Sequence, residues 1–169
     1  MEIERKYLIG RLPFDLAAYD CYVIEQAYIS TMPVIRIRKR LVVQNKTGHN
    51  KTPEAYILTI KSSGLMSREE YELQLTPEEY SNLKEKVSGN SIIKRRYVIP
   101  IENGLRLELD VFFGDFDGLV VGEIEFPDEE TAQKFNPPEY LVREVTFDNR
   151  YHNSSLSTMD KADIPSLFN

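Results

Sequence analysis

The chain has 169 residues, 41% of them hydrophobic, and a formal net charge of -6 at pH 7. These values fit one globular domain spanning residues 1–169 and exclude a disordered chain. The acidic balance argues against wrapping nucleic acid, no run approaches the roughly 20 apolar residues of a membrane span, and the lone Cys21 excludes an internal disulfide and suits a reducing cytoplasm.

In chain order, residues 2–9 alternate charged and apolar side chains, the period of a strand. No apolar stretch follows Glu2, Glu4, Arg5 and Lys6, so this start is not a signal peptide. Residues 14–19 read as a short helix. Strands are predicted over about 22–30 and 33–43, parted by Met32 and Pro33. Residues 44–53 are polar, contain Gly48 and Pro53, and read as a long loop. Two further strands, about 55–62 and 67–75, precede a capping box, Thr76-Pro77-Glu78-Glu79, that opens a helix to about residue 87. Strands at about 91–99, 104–113 and 119–126 follow, with turn chemistry at Asn103-Gly104 and between Asp115 and Gly118. Asp128 caps a second helix running to Phe135, stopped by Pro137 and Pro138. The tail after Tyr151 is weakly helical. About eight strands with short connections predict a mainly β, α+β chain built as an antiparallel barrel or sandwich.

The polar parity of these strands is almost entirely ionised. Strand one offers Glu2, Glu4 and Lys6; IRIRKR offers Arg36 and Arg38; AYILTIK ends in Lys61; SREEYELQL offers Arg68, Glu70 and Glu72. KRRYVI supplies Lys94 and Arg96, RLELDVF supplies Glu108 and Asp110, and VGEIEF supplies Glu123 and Glu125. A single such strand reads as a wet face. Seven of them, with acidic and basic pairs sorted by strand, read as the lining of a closed barrel that holds a highly charged ligand. Glu2, Glu4, Asp110, Glu123 and Glu125 would need a hard divalent cation, and with no paired His or Cys the choice is Mg²⁺, Mn²⁺ or Ca²⁺. Lys6, Arg36, Arg38, Lys61, Arg68, Lys94 and Arg96 would need a polyanion, whose phosphate oxygens arginine forks grip bidentately.

In order, Glu2-Ile-Glu4-Arg-Lys6, Arg36-Ile-Arg38, Thr59-Ile-Lys61, Arg68-Glu-Glu70-Tyr-Glu72, Lys94-Arg-Arg96, Glu108-Leu-Asp110, Glu123-Ile-Glu125 and the late EVTFDNRYHN resemble the motifs of the CYTH superfamily, the triphosphate tunnel metalloenzymes. The resemblance spans nearly the whole chain. It implies a closed eight-stranded antiparallel β-barrel with a few flanking helices, binding a small-molecule triphosphate with Mg²⁺ or Mn²⁺. It adds Glu108 to the metal set of Glu2, Glu4, Asp110, Glu123 and Glu125. It gives the phosphates to Lys6, Arg36, Arg38, Lys61, Lys94 and Arg96, assisted by Arg68, with Glu70 and Glu72 supporting. It makes Lys94, with Lys6, the catalytic lysine that activates water.

The expected activity is metal-dependent hydrolysis of inorganic tripolyphosphate by a monomer or homodimer. The other readings are an adenylate cyclase, a thiamine or nucleoside triphosphatase, and a non-catalytic polyphosphate-binding module. His152 has no partner at metal-ligand spacing and reads as structural or solvated. Lys161 is a candidate for closing the tunnel from the tail.

Overall fold

The computed structural model describes residues 2–44, 54–62 and 67–168; the loop over 44–53, but for the backbone of Gln44, and the side chains of Glu2, Gln44, Ser67 and Arg68 lie outside the described residues. Among the described residues there are ten strands: β1 Glu2–Ile9, β2 Asp20–Thr31, β3 Val34–Gln44, β4 Ala55–Lys61, β5 Ser67–Arg68, β6 Glu70–Leu75, β7 Ser88–Pro100, β8 Arg106–Phe113, β9 Val120–Glu125 and β10 Leu141–Glu144. Three helices, α1 Pro77–Lys84, α2 Glu129–Lys134 and α3 Asn153–Thr158, complete the regular structure with short 3₁₀ turns, one of them at Leu16–Ala18.

All strand pairs are antiparallel, in the order β10-β1-β9-β8-β7-β2-β3-β4-β6, with β5 on β1. The eight-stranded closed barrel expected from the sequence is therefore corrected. The sheet is not closed: among the described residues β6 pairs with β4, and the link to β1 is two residue pairs, Glu2 opposite Arg68 and Ile3 opposite Ser67. The reason is local. Between β5 and β6 the backbone of Glu69 turns to Ser62, donating to its Oγ (2.8 Å) and accepting from its N–H (2.9 Å), while β10 takes the later edge of β1 at Tyr7 to Ile9.

Helix starts follow the sequence chemistry. Thr76 Oγ1 accepts from the Glu79 N–H at 3.2 Å, and the Glu79 carboxylate accepts from the Thr76 N–H at 2.7 Å. Asp128 caps α2 by accepting from the Thr131 N–H at 2.7 Å. α1, α2 and β10 pack against residues of the outward face of the sheet. Ile3, Tyr7, Leu107, Leu109 and Ile124 pack with Ala132 of α2 and Leu141 of β10, and Ala27 and Ile37 pack with Tyr80 of α1. Each fully buried aliphatic or aromatic side chain here contributes about 1.5–3 kcal/mol.

The inward parity changes character along the strands. Ile92 shares the parity of Lys94 and Arg96, Phe112 that of Asp110, and Val121 that of Glu123. Together with Tyr28 they pack against Tyr151, Leu156 and Leu167 from the tail. The charged face thus ends on an apolar floor, held in place from outside the sheet by the chain after β10.

Candidate functional site

The inward side chains line a cavity of about 950 Å³. Lys6 and Glu4 reach it from β1, Arg36 and Arg38 from β3, Lys61 from β4, Glu70 and Glu72 from β6. Arg96 of β7, Glu108 of β8, and Glu123 and Glu125 of β9 form the other side. Strand register decides which charges meet: Lys6 and Glu108 both stand opposite Glu123, Glu4 opposite Glu125, and Arg96 opposite Asp110.

Most cations in the wall are paired. Lys6 Nζ is 2.9 Å from Glu123, and Glu70 lies 2.6 Å from Lys61 and 3.6 Å from Arg36. Arg36 also donates to Thr59 Oγ1 at 3.1 Å. Arg96 is the hub: Nε and Nη2 each bond Asp110 at 2.7 Å, Nη2 also reaches Glu123 at 2.7 Å, and Nη1 pairs with Glu108. Burial opposes that charge, yet Asp110 and Glu108 hold the guanidinium raised well above its ordinary range. Burial likewise opposes ionisation of Glu123, but Lys6 and Arg96 hold it well below the usual carboxylate range. Arg38 differs. Among the described residues no carboxylate pairs with it and its buried Nε has no hydrogen-bond partner. Burial, then Arg36 and Arg96, pull it down to about 9.

Lys94 and Asp110 share the inward parity but do not line the cavity. Lys94 is fully buried, its Nζ 2.5 Å from Asp110 and 3.4 Å from Asn153 Oδ1, over the Phe112 ring at 5.3 Å. Burial, offset by Asp110, pushes its ammonium down to about 8. Among the described residues, no three His, Cys, Asp or Glu side chains stand within reach of one metal ion. The cavity carboxylates, Glu4, Glu108, Glu123 and Glu125, are oxygen donors of the kind a hard cation takes, but Glu108 and Glu123 are turned toward Arg96 and Lys6. The side chains of Glu2 and Arg68 lie outside the described residues.

Several lining residues were not read from the sequence. Tyr28 lies in the wall beside Arg36 and Arg38; burial raises its phenol, and those cations with Lys6 work against the rise. His152, read as structural or solvated, lines the cavity with Asn153 and Ser154, its Nε2 3.2 Å from Thr146 O. Arg106, whose inward parity with Glu108 is visible in the sequence, also lines it, from the start of β8. Lys161 does not; it is exposed and pairs with Asp115 at 3.4 Å. The signal for His152 was its place at the end of the late EVTFDNRYHN stretch.

No protein-family model matches the chain. It is 36% identical over 156 residues to an inorganic triphosphatase of Nitrosomonas europaea, covering 92% of this chain and 96% of the relative. It is 34% identical over 157 residues to an inorganic triphosphatase of Acetivibrio thermocellus, covering 92% of each. The solved structure of the inorganic triphosphatase NE1496 superposes with a TM-score of 0.65 at 31% identity, covering 95% of this chain and 96% of that one. Motifs, fold and relatives agree: the chain belongs to the CYTH family of triphosphate tunnel metalloenzymes, alongside the inorganic triphosphatases.

Proposed function

We propose that this protein hydrolyses a linear triphosphate, inorganic tripolyphosphate, bound in the charged cavity with Mg²⁺ or Mn²⁺. The observation that carries the reading is Arg38, a guanidinium in a cavity wall with no carboxylate to pair with among the described residues. A half-buried guanidinium whose Nε is buried without a hydrogen-bond partner gains most when an anion in the cavity completes it. The two relatives named inorganic triphosphatase support tripolyphosphate as that anion.

Charge balance supports a metal. Among the described residues six basic side chains, Lys6, Arg36, Arg38, Lys61, Arg96 and Arg106, face six carboxylates, Glu4, Glu70, Glu72, Glu108, Glu123 and Glu125. A polyphosphate entering a cavity without net charge brings several uncompensated negative charges, so cations must enter with it. Glu4 and Glu125, with Glu108, Glu123 and Glu2, are the carboxylates we assign to such an ion. When bound, it neutralises phosphoryl oxygens and polarises the transferred group.

Lys6, Arg36, Arg38, Lys61 and Arg96 hold the phosphate chain, Arg68 assists, and Glu70 and Glu72 orient Lys61 and Arg36. Lys94 is the side chain to which we assign proton movement, because a base works best with a pKa near the operating pH. It acts from behind Asn153, whose Oδ1 contacts it and whose side chain lines the cavity.

The test is a substrate panel of tripolyphosphate, ATP and thiamine triphosphate on the chelator-treated chain, with Mg²⁺ or Mn²⁺ restored. Phosphate release from tripolyphosphate, dependent on the metal, is expected. Cyclic AMP from ATP, or tight binding of tripolyphosphate without turnover, would overturn the reading.

A further inference from the structure

Asp110 lies on the inward parity of β8, one strand step from Glu108, and by its motif it belongs with the metal ligands. We propose instead that Asp110 is a positioning residue that locks Lys94 and Arg96 into one buried unit and takes no part in metal binding. This rests on the triphosphatase reading above.

Three charge-assisted bonds already engage both oxygens of its carboxylate. Oδ1 accepts from Arg96 Nε at 2.7 Å, and Oδ2 accepts from Arg96 Nη2 at 2.7 Å and from Lys94 Nζ at 2.5 Å. Asp110 is 1% exposed and lies behind the cavity wall, whereas Glu4, Glu123 and Glu125 line it. A dication drawing on Asp110 would have to displace Lys94 or Arg96 and leave that cation buried beside it, at a high Coulomb cost in low dielectric. Glu123 is paired as well, but it stands at the open wall of the cavity, where it can turn to an ion.

The arrangement has a clear use. The cross-strand pair Arg96 and Asp110 fixes the guanidinium plane, so that Nη1 and Nη2 reach Glu108 and Glu123 at the wall. The same carboxylate keeps Lys94 beside Asn153, the contact through which it meets the cavity. A side chain holding a working group from behind is typically worth about 10–100-fold in activity.

The experiment compares full-length wild type with Asp110→Asn, Lys94→Met, the double variant and Glu4→Gln. It measures Mn²⁺ binding by electron paramagnetic resonance without substrate, and kcat on tripolyphosphate. We expect Asp110→Asn to keep its Mn²⁺ Kd within about threefold while Glu4→Gln loses about tenfold or more, and kcat of Asp110→Asn to fall about thirtyfold. Because Asp110 acts through Lys94 as well as Arg96, adding Asp110→Asn to Lys94→Met should cost clearly less than the about thirtyfold that it costs alone, about tenfold or below.

A tenfold weaker Mn²⁺ affinity in Asp110→Asn, or an undiminished loss of kcat in the Lys94→Met background, would overturn the proposal. If a single variant does not fold, the double variant, which leaves neither member of the pair charged, gives the Mn²⁺ comparison. A wild type that binds no Mn²⁺ overturns the metal reading, and the kcat coupling then decides on Asp110. A wild type that does not turn over tripolyphosphate overturns the functional reading, and the Mn²⁺ comparison then decides.

Discussion

Arg36 and Arg38 project into the same cavity from alternate positions of β3, yet among the described residues Arg36 has close polar partners, Thr59 at 3.1 Å and Glu70 at 3.6 Å, while Arg38 makes no ion-pair contact and feels Glu72 only at longer range. Arg38 adds a second guanidinium beside the first and is held low partly by it. Replacing it should therefore separate binding from folding. Arg38→Ala should raise KM for tripolyphosphate about 10–100-fold, the worth of one or two lost charged hydrogen bonds. Thermal stability should stay level or rise, because a like-charge neighbour is gone. Steady-state kinetics and thermal unfolding of the two chains check both arms. A large loss of stability with unchanged KM would assign Arg38 to the fold.

Lys94 gives a pH dependence whose sign can be worked out. Its folded pKa is pushed down to about 8 from 10.5, first by burial. Between those values the unfolded chain binds the proton and the folded chain has released it. Unfolding therefore takes up protons, and stability from this group rises with pH across that window. Below about pH 8 both states hold the proton and the penalty is fully present. The expected gain from pH 8 to 10.5 is at most about 3 kcal/mol relative to Lys94→Met. Urea unfolding of the two chains across that range measures it. A difference that stays flat or falls with pH would mean that Asp110 outweighs burial.

The charged face was legible because strand alternation sorts side chains by parity without knowledge of neighbours, so Glu4, Lys6, Arg36, Lys61 and Glu123 could be grouped before the sheet was seen. Depth was not. Asp110 has the same parity as Glu108, but register sets it opposite Arg96, and that cross-strand partner cannot be read from one strand. The apolar floor shows the same limit: Ile92, Phe112 and Val121 have the inward parity and meet the tail in place of ligand. β10 was missed because LVRE is four residues long and has no alternation: Leu141 is buried, and Val142, Arg143 and Glu144 are all exposed. The path that brings His152 to the cavity depends on tertiary bonds, Arg143 to the Tyr151 hydroxyl at 2.6 Å and that hydroxyl to Leu167 O at 2.9 Å. Closure could not be judged either, since β1 divides its edge between β5 and β10.

Arg5, the outward neighbour of Glu4 and Lys6, ties three elements together. Its guanidinium donates to Glu144 at 2.9 and 2.5 Å, to Ala132 O at 2.8 Å and to Phe135 O at 3.1 Å. Arg5→Ala should cost about 2–4 kcal/mol in urea unfolding, since a two-pronged ion pair and two carbonyl partners are lost together. Arg5→Lys should recover less than about half, because an ammonium cannot reproduce the planar fork. Activity per folded molecule should stay within about twofold, as the side chain faces away from the cavity. Full recovery by lysine would reduce the contact to simple charge.

Gly89 tests whether the seat of α3 matters to the site. Its φ is +77°, and a Cβ there would lie 2.1 Å from Ser157 O of α3. Next to it, Asn90 donates to Leu156 O at 3.1 Å and Met159 O at 2.8 Å, fixing the end of the same helix. The first residue of α3 is Asn153, which lines the cavity and contacts Lys94. Gly114 is the control, with φ +67° and nothing within 4 Å of its would-be Cβ. Gly114→Ala should cost about 1 kcal/mol for the backbone alone and leave kcat unchanged. Gly89→Ala must in addition push α3 off β7, so it should cost about 2–4 kcal/mol. Its kcat on tripolyphosphate should fall about tenfold as Asn153 is drawn away from Lys94. Unfolding curves and saturating kinetics of the two variants give the comparison. Equal kcat in both would show that α3 covers the apolar floor without tuning the lysine beneath it.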